Sequence, residues 1–165
     1  MNCKILFSSA AVASILIASS AFAGSLDISR PWARASAGGS GAAYLTLHNS
    51  NDHDHTLVSV ASNVAKRVEL HNHTMIDGML KMRQVKGGLK IPAGDTVMLK
   101  PGGYHIMMMG LHAPLKEGTT FPLTLSFDSG EDVTVTVNVN APGAMGPVSG
   151  HDGGAVHKTD MGHTH

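Results

Sequence analysis

The chain has 165 residues with 12 Lys and Arg against 12 Asp and Glu, so its formal net charge is zero. That balance argues against a nucleic-acid partner and against docking on an anionic membrane surface. The single cysteine, Cys3, falls in a leader, which excludes disulfides, thiolate metal sites, cysteine nucleophiles and blue copper from the mature protein.

Residues 1–23 read as that leader. Lys4 supplies a positive start, an apolar run follows, and Ala21-Phe22-Ala23 forms a small-x-small cleavage pattern. No lipid-attachment cysteine stands at the cleavage point. The expected mature chain, residues 24–165, is therefore exported, and periplasmic if the cell is bacterial. It has no membrane span and is large enough for one domain with its own core.

From residue 26 the chain reads as strands: 26–35, 42–49, 56–62, 66–72, 79–85, 95–100, 104–109, 121–128 and 132–139. Period-2 alternation is clear where Tyr44, Thr46 and His48 oppose Leu45 and Leu47, and along Val133, Val135, Val137 and Val139. Turn signals separate the runs, among them Asp77-Gly78, Gly87-Gly88 and Ser129-Gly130. No stretch has helical periodicity. The fold class is all-β, an antiparallel sandwich or Greek-key barrel over residues 24–140. Residues 141–165 are rich in Gly and poor in large apolar side chains, which predicts a flexible tail.

All 11 histidines, and every methionine but Met1, belong to the mature chain. The stretch 104-YHIMMMG-110 is unusual for a strand, where β-branched and aromatic residues prevail. Alternation puts His105, Met107 and Met109 on one face and Ile106 and Met108 on the other. Met108 and Met109 are expected in the core, while His105 and Met107 suit two ligands of one ion. Met75, Met79 and Met98 read as packing residues, with Met75 able to line the rim. His48 and His112 read as ordinary surface histidines, His53 and His55 as part of a charged loop, and Trp32 as an apolar anchor.

A second group lies in 69-ELHNHTMIDGMLKMRQV-85. Asp77-Gly78 is a good type I′ turn pair. With that pair at the tip, Ile76 faces Met79, Met75 faces Leu80, His73 faces Met82 and His71 faces Gln84. One side of the hairpin then offers His71, His73 and Met82, and the strand at 104–109 can add His105 and Met107. Thioethers bind hard cations poorly and suit Cu(I); zinc prefers Cys, His and carboxylate, and calcium and magnesium prefer oxygen. A His/Met set in a cysteine-free exported protein therefore points to copper.

These segments resemble the periplasmic copper chaperones called PCu(A)C. Their motif is a histidine, ten residues, a methionine, about 21 or 22 residues, then His-x-Met. Here ten residues separate His71 from Met82, and 22 more lead to His105, Ile106 and Met107. The flanking text matches as well, in 30-RPWARAS-36, 42-AAYLTLHN-49 and 87-GGLKIPAGDTVMLKPGGYHIMMMGL-111. The resemblance implies a cupredoxin-like β-fold holding Cu(I) through His71, Met82, His105 and Met107. It further implies delivery toward the binuclear copper site of cytochrome c oxidase, with subunit II or a Sco-type chaperone as the acceptor. Many members carry methionine where His73 stands. The motif favours His71 beside Met82 and the hairpin register favours His73; one β-bulge would reconcile them, and His73 is kept as an alternate or Cu(II) ligand.

In the tail, His151, His157, Met161, His163 and His165 form a histidine-rich tract of the kind that binds metals, here expected to take up Cu(II). The expected protein is a monomeric non-enzyme. A copper scavenger or buffer is the nearest alternative. A metal-free β-sandwich binding module is more distant, because few aromatics are present to build a platform. An enzyme or electron carrier would want a cysteine, a carboxylate or more histidines at the copper.

Overall fold

A computed structural model describes residues 26–147, and within them the chain forms ten β-strands. They are β1 (Leu26–Arg34), β2 (Ser40–Asn49), β3 (His55–Ala61), β4 (Ala65–Ile76), β5 (Met79–Gln84), β6 (Leu89–Ile91), β7 (Thr96–Leu99), β8 (His105–Leu111), β9 (Thr120–Phe127) and β10 (Asp132–Asn140). Residues 1–25 and 148–165 lie outside the described residues.

The strands join in the order β5-β4-β8-β2-β1-β10-β9-β3-β6, with β7 also on β2. β3 and β4 stand far apart in that order yet contact each other, so the sheet folds over on itself into a cupredoxin-like or immunoglobulin-like sandwich. Inward-facing side chains fill the space between, including Leu45, Leu47, Leu57, Ile91, Ile106, Met108, Leu123, Leu125 and Val137. Each such side chain contributes about 1.5–3 kcal/mol on burial.

Two details depart from the sequence reading. β6 has only three residues and is missing from the predicted set, because Gly88 before it and Pro92 after it look like loop. It forms because Leu89 and Ile91 both reach the core beside β3. Gly88 is required there: its φ is +88°, and a Cβ would sit 2.8 Å from the Leu57 carbonyl oxygen. The ladder is also not purely antiparallel. Within β1 the register shifts between Ser29 and Trp32, with Arg30 at φ 53°, and residues 32–34 then pair in parallel with β10. The bulge lets one strand bridge the two halves of the sandwich and buries Trp32, 4% exposed, against Tyr44 with ring centroids 4.5 Å apart.

Candidate metal centre

Four strands build the site on the outer face of the sheet. The β4–β5 hairpin closes at Asp77 and Gly78 with φ of 52° and 76°, the two positive values that a type I′ turn needs. The register runs unbroken as expected, with His71 opposite Gln84, His73 opposite Met82 and Met75 opposite Leu80. The bulge that would have brought His71 opposite Met82 is absent. β8 does that work instead by lying on the other side of β4, so His71 faces His105 and Glu69 faces Met107, while Ala42 of β2 flanks Met107. Directly paired residues share a face, so the side chains of His71, His73, Met82, His105, Met107 and Glu69 stand on one surface.

The contacts are specific. His105 Nδ1 donates to the Gly103 carbonyl oxygen at 2.9 Å. A carbonyl can only accept, so the proton of the neutral ring is on Nδ1 and Nε2 carries a lone pair. That bare nitrogen lies 3.1 Å from Met82 Sδ. His71 Nε2 donates to Glu69 Oε2 at 3.0 Å, which leaves Nδ1 as its unprotonated nitrogen. His71 Nδ1 and His73 Nδ1 are buried without any hydrogen-bond partner. The His71 and His73 rings lie 6.0 and 5.0 Å from the His105 ring, centroid to centroid. Buried polar atoms without partners are rare and costly, and here both belong to rings gathered around His105. Backing one imidazole with a carboxylate and another with a carbonyl is how metal-binding histidines are oriented. Among the described residues no three His, Cys, Asp or Glu are arranged to hold a metal by themselves. The thioethers are needed to complete the set.

Electrostatics fit the same purpose. Burial pushes the His105 pKa below its ordinary 6.5; the Gly103 hydrogen bond opposes this, while His73 and His71 add to it. A depressed pKa keeps the ring neutral and able to ligate in mild acid. Exposure is graded across the group, with His105 4% exposed and Met82 42% exposed. Solvent and partners reach the thioether side first.

The remaining candidates divide: Met75, Met79 and Met98, expected to pack, are exposed. Met108 is fully buried in the core, as expected. Met109 is not: it is half-buried on the site's own face, where Arg67 Nη2 approaches its sulfur at 3.5 Å. Alternation had already placed it there, since it shares parity with Met107. His55, buried at the start of β3, is tied to the loop residues Asn51 at 2.6 Å and Asp128 at 3.6 Å, and His48 on β2 to its cross-strand neighbour Thr96 at 2.9 Å. Glu69 is the residue that sequence reasoning passed over. The signal was Glu-x-His within one strand, which puts the two side chains on one face. His151, His157, Met161, His163 and His165 lie outside the described residues. The segment that leads to them is held: Arg34 Nε donates to the Ala144 carbonyl oxygen at 2.7 Å, and Asn140 Nδ2 donates to that of Gly146 at 3.1 Å. Arg34 stacks over Tyr44, on the same face as Ala42 and Met107. The chain therefore leaves β10 toward the site's face.

The family model described as "Putative lipoprotein LpqE-like" matches residues 26–139. The chain belongs to this family, which is PCu(A)C-related. Among PCu(A)C-type structures, that of Cu(I)-DR1885 from Deinococcus radiodurans is 35% identical at a TM-score of 0.56, over 74% of this chain and 85% of that one. The copper-bound PCuAC domain from PmoF2 is 26% identical at a TM-score of 0.61, over 72% and 95%. A relative from Leifsonia xyli subsp. xyli (strain CTCB07), Lxx21020, carries a lipoprotein name and is 37% identical over 114 residues, 69% of each chain.

Proposed function

We propose that this PCu(A)C protein is an exported, periplasmic copper metallochaperone rather than an enzyme. It holds Cu(I) through His71, Met82, His105 and Met107, with His73 as an adjoining imidazole. The observation that carries this reading is the bare His105 Nε2 beside Met82 Sδ, with the neighbouring His71 ring holding an unpartnered Nδ1. The copper-bound relatives support it. Soft thioethers and neutral imidazoles favour Cu(I) without locking it in.

Release proceeds by ligand exchange. The exposed thioether of Met82 is displaced first by an incoming sulfur ligand, while the buried His105 holds the ion until the acceptor has engaged it. The acceptor proposed is cytochrome c oxidase subunit II, at its binuclear copper site, or a Sco-type chaperone. The tail, with His151, His157, Met161, His163 and His165, takes up Cu(II), and its exit on the site's face supports a passage of copper from tail to domain.

An anaerobic Cu(I) titration of residues 24–165 against a competing chelator tests the site. One tight equivalent is expected, lost in His105→Ala and Met107→Leu. Unchanged binding in both would refute it. A chain ending near Ala141 should bind Cu(I) normally and lose Cu(II) equivalents; equal copper stoichiometry would remove the tail's role.

A further inference from the structure

The β4–β5 hairpin reaches past the sandwich. β4 leaves β8 at the His71–His105 pair, and residues 72–84 continue as a ribbon paired only with itself, with β5 at the edge of the sheet. Among the described residues, four of the seven exposed large hydrophobics are concentrated on it: Met75 at 66%, Met79 at 57%, Leu80 at 59% and Met82 at 42%. Met75 and Leu80 stand opposite each other, one step beyond the His73–Met82 pair and on the same face as the site. The ribbon and the turn after it are also basic. They carry Lys81, Arg83 and Lys86 against one acid, Asp77, in a chain whose charges balance overall. Among the described residues none of these three cations makes an ion pair, whereas Lys90 and Arg67 do.

We infer that this hairpin is the docking face for the copper-exchange partner, and that the partner's metal site is ringed by carboxylates. This rests on the copper reading above. Copper cannot pass through bulk water as a free ion, so the acceptor must touch the edge where Met82 is exposed. Exposed apolar side chains beside the ligand give that contact adhesion, and the unpaired cations Lys81 and Arg83, on the other face of the same two-stranded ribbon, add longer-range steering toward that edge. The transfer is a simple exchange. Copper stays Cu(I); two acceptor thiols lose their protons and form sulfur–copper bonds as the imidazole and thioether bonds break. Cations along a free edge strand also discourage strand-to-strand aggregation, and the experiment separates that role from docking.

Two synthetic Cys-x3-Cys peptides serve as probes, one flanked by glutamates and one by lysines. Their association with the copper-free protein is followed by fluorescence anisotropy, and Cu(I) transfer from the loaded protein by stopped flow, at low and high salt. The acidic peptide should bind and accept copper about tenfold faster than the basic one at low salt. The triple variant Lys81→Glu/Arg83→Glu/Lys86→Glu should reverse that preference while keeping its Cu(I) affinity and melting temperature. Met75→Ser/Leu80→Ser should speed peptide dissociation. Equal rates for the two peptides, or a preference that survives charge reversal, would overturn the inference. Loss of Cu(I) binding by the wild type would instead defeat the site itself, and anisotropy of the copper-free protein would still decide the docking face.

Discussion

At the scale of single residues, Glu69 and Gly103 orient the rings of His71 and His105. Each fixes which nitrogen of a histidine is bare. Glu69→Gln keeps the shape but lets the amide offer either a donor or an acceptor to His71, so the ring is no longer held in one tautomer. Cu(I) affinity should fall about tenfold or more, in line with other groups that orient metal-binding histidines. The check is chelator competition against the wild type at the same pH. The depressed pKa of His105 has a separate consequence for the copper-free protein. Below about 6.5 the unfolded chain takes up a proton at this residue that the folded chain resists. The stability linked to His105 is thus complete above that pH. It declines as pH falls from there toward the lower folded pKa, and levels off below it. Denaturant midpoints at pH 7.5, 6.5 and 5.5 should show this decline in the wild type and a smaller one in His105→Gln.

At the scale of the element, β8 sets two adjacent methionines to opposite tasks. Met108 is fully buried, while Met107 is half-buried beside His105. Met108→Ala should cost about 2–5 kcal/mol of stability through the cavity that it leaves. Met107→Ala should cost far less and abolish tight Cu(I) binding. Thermal melts and copper titrations of the pair test this, and similar losses of stability in both would show that β8 is not divided in this way. The hairpin invites a parallel test. Gly78 has φ of +76° with open space around it, so Gly78→Ala strains only the backbone. It should destabilise the turn by about 1 kcal/mol and loosen Met82, weakening copper binding more than it lowers the melting temperature. Much of this was legible beforehand. Asp77-Gly78 determines the hairpin register, and the period of two determines that His105 and Met107 share a face. The position of Met109 followed from the same rule. Its expected place in the core came from residue type, and the strand's geometry prevailed.

At the scale of the whole molecule, the site is held by a sandwich that needs no metal to build its core. Copper binding should therefore add to stability without creating the fold. At a free Cu(I) concentration one hundred times the dissociation constant, linkage adds about 2.7 kcal/mol. Anaerobic calorimetry with and without buffered Cu(I) should give a raised melting temperature in the wild type and none in His105→Ala.

The sequence by itself determined every strand but β6, the hairpin and its register, and the two faces of β8. All of these are local, fixed by turn chemistry and by the alternation of side chains along one strand. What only the tertiary structure decided is which strand lies beside which. His71 and His105 are far apart in the chain, and they meet because β8 packs between β4 and β2. That choice is made by burial across the whole sandwich and leaves no mark in either segment. The same neighbour relation removes the need for a bulge, since His105 reaches both His71 and Met82 from its own strand. It also sets Glu69, the carboxylate that holds the His71 ring, opposite Met107.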